Sequence, residues 1–316
     1  MKTPRPRGTS TLTAVLALVT GTALTACGAN PPGAEDSVQN SAQQVAVDLK
    51  QSVDPALHAR LPAKNRASGE LVSVNNGSFP PYEIAGSDGH SLTGASADLS
   101  TALGHLLGVR ISHVTADGLP SQLTGIKAGR FDFALGPVGD FKERQTSNDF
   151  VDWVQEFVVF AVPKGNPKHI DSLAGACGKR IAVMSGGSAE GVAKDQIAKC
   201  RAEGKPPVNV QSYKDQPSSI LAVRSGRADA FFSSQAPLTY FTAQAKDQLE
   251  LTGVGRSNGF DTLYQGAVVP QESTLGGVLK EALQKLIDNG TYHKIMDKWG
   301  LKANEIKTAG INLAPS

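Results

Sequence analysis

From Leu71 onward, short β-prone runs alternate with amphipathic runs, and the alternation occurs twice. In the first set, Leu71 to Val74 reads as a strand, Ala97 to Leu107 as a helix and Val109 to Val114 as a strand. A helix opening at Pro120 and stopped by Gly129 follows, then a strand from Phe131 to Leu135. The second set runs Arg180–Met184, Ser188–Ala202, Val208–Tyr213, Pro217–Ser225 and Ala228–Ser233 in the same order. A βαβαβ order implies a mostly parallel sheet with helices on both faces. The sets also share an echo: Lys127-Ala128-Gly129-Arg130-Phe131-Asp132 against Arg224-Ser225-Gly226-Arg227-Ala228-Asp229. In both, glycine caps a helix and one basic residue leads into a strand, which points to two similar α/β units.

Two long extended runs, Phe150–Val162 and Leu263–Val269, flank the second unit and would join the units as a hinge. The tail carries helical patterns over Leu275–Ile287 and Tyr292–Trp299, expected to pack back on the first unit.

The chain starts with Lys2, Arg5 and Arg7, followed by an apolar run from Leu12 to Leu24. That run is short for a membrane span, which takes about 20 apolar residues, and reads as a signal peptide. Leu24-Thr25-Ala26-Cys27 resembles the lipobox of bacterial lipoproteins. The resemblance implies export, lipidation of Cys27 and a mature chain of about 290 residues, enough for two domains. Cys177 and Cys200 then remain as a pair, expected to form a disulfide in an oxidising compartment.

Lys and Arg total 31 against 29 Asp and Glu, a balance that gives no electrostatic reason to expect nucleic acid. Residues 27–69, rich in Pro, Gly, Ser, Gln and Asn, read as a flexible tether with a short helix near Ser41–Ser52.

Several ordered motifs resemble the polar-amino-acid solute-binding proteins of ABC importers, solute-binding family 3. They are Phe79-Pro80-Pro81-Tyr82-Glu83; Asp88-Gly89, Gly94 and Asp98-Leu99; Gly129-Arg130-Phe131-Asp132; Arg144; Phe150-Val151-Asp152; Asn289-Gly290-Thr291; and Lys298-Trp299-Gly300. The resemblance implies an α/β fold, a two-lobe periplasmic-binding-protein clamshell (type II). It divides the chain into a signal peptide (1–26), a lipid-anchored tether (27–69), lobe 1 (70–157), lobe 2 (158–262), and a hinge return with C-terminal helices (263–316).

The same resemblance implies that Arg144 grips a ligand carboxylate through its planar guanidinium. Phe79 and Leu119 would form an apolar wall. Ser188 would meet the carboxylate at a helix N-terminus. The family's Ser-x-Thr before the arginine is Gly139-Asp140-Phe141 here, so backbone N–H groups around Gly136 and Gly139 would serve instead. The usual acid for the ligand α-ammonium falls on Ser234, and the acid of the first loop falls on Asn76. Either another acid (Asp140, Glu156 or Asp261) takes the ammonium, or the solute is betaine-like or ectoine-like.

The expected partners are a small carboxylate-bearing solute, an ABC permease and, through the lipid on Cys27, the outer face of the cell membrane. A monomer is expected, with no cofactor, metal or nucleic acid. A ligand-binding sensor module is one alternative reading. An enzyme (dehydratase or lyase) on the same fold is another, disfavoured because the chain has no Gly-x-Ser-x-Gly, no His-Glu-x-x-His and no recognisable pair of catalytic carboxylates.

Overall fold

A computed structural model describes residues 46–314 of the protein. The signal segment, Cys27 and the first part of the tether lie outside the described residues. The first lobe opens with β1 (Glu70–Asn75), followed by the short strands β2 (Ser78–Phe79), β3 (Glu83–Ala85) and β4 (Leu92–Thr93). These three pair as a small antiparallel sheet around the Pro-Pro-Tyr turn. The helix Ala95–Leu107 buries Leu99, Leu103, Leu106 and Leu107 along one face and stops at Gly108, whose φ of 65° is left-handed. Next, β5 (Arg110–Thr115) runs parallel to β1. The helix Leu119–Lys127 leads to β6 (Ala134–Gly139).

The extended run expected from Phe150 to Val162 is two strands: β7 (Asn148–Glu156) and β8 (Val158–Pro163). They break at Phe157, which is 40% exposed, and belong to different sheets, so the chain changes lobe there. The second lobe holds β9 (Arg180–Met184), β10 (Asn209–Tyr213), β11 (Ala230–Ser234) and β12 (Leu249–Thr252). The return strand is β13 (Leu263–Pro270), and β14 (Glu305–Ile311) ends the described fold.

The second-lobe sheet has the order β10-β9-β11-β8-β12. Along β8 the period of two sends Val158, Phe160 and Val162 into one apolar cluster and Val159 and Ala161 into another on the opposite face. Phe160 stacks on Phe232 at 4.4 Å within the first cluster. The first lobe has a β14-β7-β13-β6 sheet, linked to the β1-β5 pair by the bridge Ser73–Phe133. Its core joins Leu99 and Leu103 to Leu279, Leu283 and Tyr292 of the C-terminal helices Thr274–Asp288 and Thr291–Lys298.

Four expectations need correction. The sheets are mixed rather than mostly parallel. In the second lobe β8 runs antiparallel to both its neighbours, β11 and β12, and in the first lobe the pairs β6–β13, β7–β13 and β7–β14 are antiparallel. Strands β8 and β13, which follow the two crossings between lobes, each run against both of their neighbours. The third strand begins at Ala134, not Phe131, because the Asp132 carboxylate takes the Val72 N–H that a ladder partner would otherwise bond.

The tether does not extend to residue 69. Asp54 caps the helix Pro55–Arg60, a second helix spans Ala63–Ser68, and Leu57 and Leu61 are buried in the first-lobe core. No helix forms over residues 46–52; Val47 and Leu49 pack on that core as extended chain. Their alternate spacing suits a strand-like run and not a helical face.

Cys177 and Cys200 form a disulfide with their Cα atoms 5.7 Å apart, tying the entry to β9 to the helix Ser188–Ala202. A loop of this length contributes about 3 kcal/mol in the chain-entropy picture. Among the described residues no helix is long and apolar enough to cross a membrane.

Candidate functional site

A cleft opens where strands from both lobes end. Asn76 follows β1, Gly139 closes β6, Met184 closes β9 and Ser234 closes β11, and all four line it. Crevices beyond the carboxyl ends of strands are the usual ligand sites of open α/β sheets. The helices Leu119–Lys127 and Ser188–Ala202 both begin at the cleft, so their free N–H groups favour an anion there. The cleft encloses about 550 Å³, counting open solvent at its mouth.

Arg144 sits on the short helix Lys142–Gln145, just past β6. Its guanidinium lies over the Phe141 ring, 4.9 Å from the centroid. One nitrogen donates to the Gly139 carbonyl at 2.6 Å, and the other donates to the Gly186 carbonyl of the second lobe. Burial of the charged group pulls its pKa down to about 10, so it stays protonated at neutral pH. Among the described residues, Arg144 is the one cation lining the cleft and Glu83 the one acid.

Glu83 projects from β3, paired in register with Phe79 of β2. Burial raises its carboxyl to about 8, opposed by a hydrogen bond from the Asn76 backbone N–H. Gln265, on β13, donates through Nε2 to Ser234 Oγ at 3.4 Å, while its Oε1 is buried with no partner. Phe79 stacks on Tyr82 at 5.7 Å. Tyr82 in turn donates its hydroxyl to Glu156 at 2.8 Å.

The cleft brings together Asn76, Phe79, Leu119, Gly139, Arg144, Ser188 and Ser234, as the sequence motifs imply. Gly136 is the exception and is not a lining residue. It has φ +79°, and a Cβ there would meet the Gly266 carbonyl at 2.6 Å, so the glycine serves the close approach of β6 to β13. Its carbonyl accepts from the Ser96 hydroxyl.

None of the three acids named as substitutes for Ser234 lines the cleft. Asp140 is tied to Gln145 Nε2 and the Ala314 N–H. Glu156 accepts from Tyr82 and from N–H groups at the start of the helix Gln235–Gln244. Asp261 is exposed.

Glu83, Gln122, Val138, Val158, Met184, Ser233 and Gln265 line the cleft without having been singled out from sequence. Glu83 carried a usable signal: an acid between Tyr82 and Ile84, on a strand whose other members are apolar and buried.

Gly139 lies against the second lobe. A Cβ on it would come within 2.3 Å of Ser188 Oγ and 2.7 Å of the Phe141 ring. Gly139→Ala is expected to prop the lobes apart and weaken solute binding about tenfold or more, with little change in thermal stability. Unchanged affinity by calorimetry would show that this contact is not part of the closed state.

Residues 71–302 match the bacterial extracellular solute-binding proteins, family 3. The chain belongs to that family. This family 3 protein is 30% identical to the arginine-binding protein of Corynebacterium glutamicum over 262 residues, covering 83% of this chain and 84% of that protein. It is 25% identical to the L-cystine-binding protein of Escherichia coli over 238 residues, covering 75% of this chain and 84% of that protein. A crystal structure of an amino acid ABC transporter substrate-binding protein from Streptococcus pneumoniae, bound to L-arginine, shares the fold. Its TM-score is 0.67 at 20% identity, covering 76% of this chain and 99% of that one. The molecule thus has the type II, two-lobe fold of these binding proteins.

Proposed function

We propose that this family 3 protein captures an amino acid or close derivative between its lobes and delivers it to an ABC permease. The observation that carries this reading is Arg144, a charged guanidinium bonded to carbonyls of both lobes inside the cleft. Those two carbonyls occupy the N–H fork that a ligand carboxylate would take. Relatives named for binding arginine and cystine support an amino-acid ligand.

A thermal-shift screen of the purified protein against L-amino acids, ectoine and betaines tests this. A ligand at 100 times its dissociation constant adds about 2.7 kcal/mol. No shift with any carboxylate-bearing compound would refute the reading.

We also infer that Cys27 anchors the protein by lipid to the outer face of the membrane, where it works as a monomer. The Leu24-Thr25-Ala26-Cys27 sequence supports the anchor. Cys27→Ala is expected to leave the membrane fraction or to remain unprocessed. A variant processed and membrane-bound like wild type would rule the anchor out.

A further inference from the structure

We propose that Glu83 and Gln265 form an acceptor pole that takes the solute's α-ammonium through its N–H donors, in place of the acid missing at Ser234. This rests on the reading that Arg144 holds the solute's carboxylate.

Two independent observations point to it. First, Glu83 is the one acid among the lining residues, and it is buried. The hydrogen bond it accepts from the Asn76 N–H leaves most of its acceptor capacity open, because a carboxylate offers about four lone-pair sites. Second, Gln265 is 2% exposed, lines the same cleft and keeps Oε1 without a partner. Buried acceptors of this kind are normally satisfied.

The position of Gln265 decides which nitrogen is meant. Its Nε2 reaches Ser234 Oγ. It pairs in register with Gly139, whose carbonyl holds Arg144. The open acceptor therefore lies close to the carboxylate-binding guanidinium, where an α-nitrogen would sit. Arg144 is charged and Glu83, protonated in the free cleft, gains its charge once an ammonium sits beside it, so the occupied lining carries one charge of each sign, which suits a dipolar solute.

The chemistry also selects against one class of ligand. A quaternary ammonium has no N–H to offer, so a betaine would leave both acceptors unpaired in a closed cleft. The serine at 234, taken alone, favours betaine-like solutes; Glu83 and Gln265 reverse that preference.

The test is calorimetry on the full chain with the tightest L-amino acid from the screen and with its Nα-trimethylated betaine. The betaine is expected to bind at least about tenfold more weakly to wild type. For the parent amino acid, Glu83→Gln is expected to cost about tenfold or more, and Gln265→Leu about threefold or more. A betaine that binds as tightly as its parent overturns the inference, and this arm needs no variant to fold. Wild-type affinity in both variants overturns it as well. Arg144→Ala separates the two ideas. Loss there, with Glu83→Gln and Gln265→Leu unchanged, removes the acceptor pole and leaves the carboxylate reading standing. Retained affinity in Arg144→Ala removes the carboxylate reading itself, and no binding by any amino acid removes both.

Discussion

Arg144→Ala is expected to weaken solute binding by about 3 kcal/mol or more, over a hundredfold. The size follows from what is left behind. A carboxylate drawn into the cleft would be stripped of water with no cation among the lining residues to meet it. The variant also loses the bonds to Gly139 and Gly186, which span the lobes. Arg144→Lys should recover only part of the loss, because an ammonium lacks the planar fork that serves both oxygens. Calorimetry with the best screening hit reads both variants. Equal affinity in wild type and Arg144→Ala would take Arg144 out of the site.

The second large effect is on stability in the absence of solute. Burial raises Glu83 to about 8 and Glu156 to about 7. Burial, and then the charge of Asp140, raises Asp152 as well. In the unfolded chain such groups titrate near 4. Each folded-state value lies above the unfolded one, so the folded form holds these protons more tightly. Their contribution is fully present below about pH 4 and is lost progressively as pH rises toward 8.

Acids pushed downward by hydrogen bonds, such as Asp88 at about 2, act below that window and do not oppose the trend. The free protein is therefore expected to be more stable at pH 5 than at pH 8, by on the order of 3 kcal/mol. Urea midpoints at the two pH values measure this, and Glu83→Gln should flatten part of the slope. Stability that stays level or rises from pH 5 to pH 8 would contradict these assignments.

Elements were legible in the sequence where punctuation was sharp. Arg180–Met184 and Ser188–Ala202 match the structure at both ends, set off by Lys179 and the pair Gly186-Gly187. The strands β2, β3 and β4 were missed because runs of two or three residues carry no measurable period. The run from Phe150 to Val162 looked like one strand because both of its halves are buried in sheets and apolar almost throughout. The exposed Phe157 that splits it is apolar too.

The pole of the site formed by Arg144 was reached through resemblance, since Lys142-Glu143-Arg144 by itself looks like a solvated surface turn. The opposite pole was not reached. Glu83 comes from a hairpin and Gln265 from the return strand, more than 180 residues away, and only folding brings both to one cleft. Asp140 and Glu156 were plausible substitutes by position along the chain. Their carboxylates are already satisfied by Gln145, Ala314 and Tyr82.

The most direct test is a crystal structure of the protein with its tightest amino acid. The account predicts the ligand carboxylate forked on Arg144, displacing the Gly139 and Gly186 carbonyls, with the α-ammonium facing Glu83 and Gln265. A ligand bound in the reverse orientation, or held with its carboxylate away from Arg144, would contradict it.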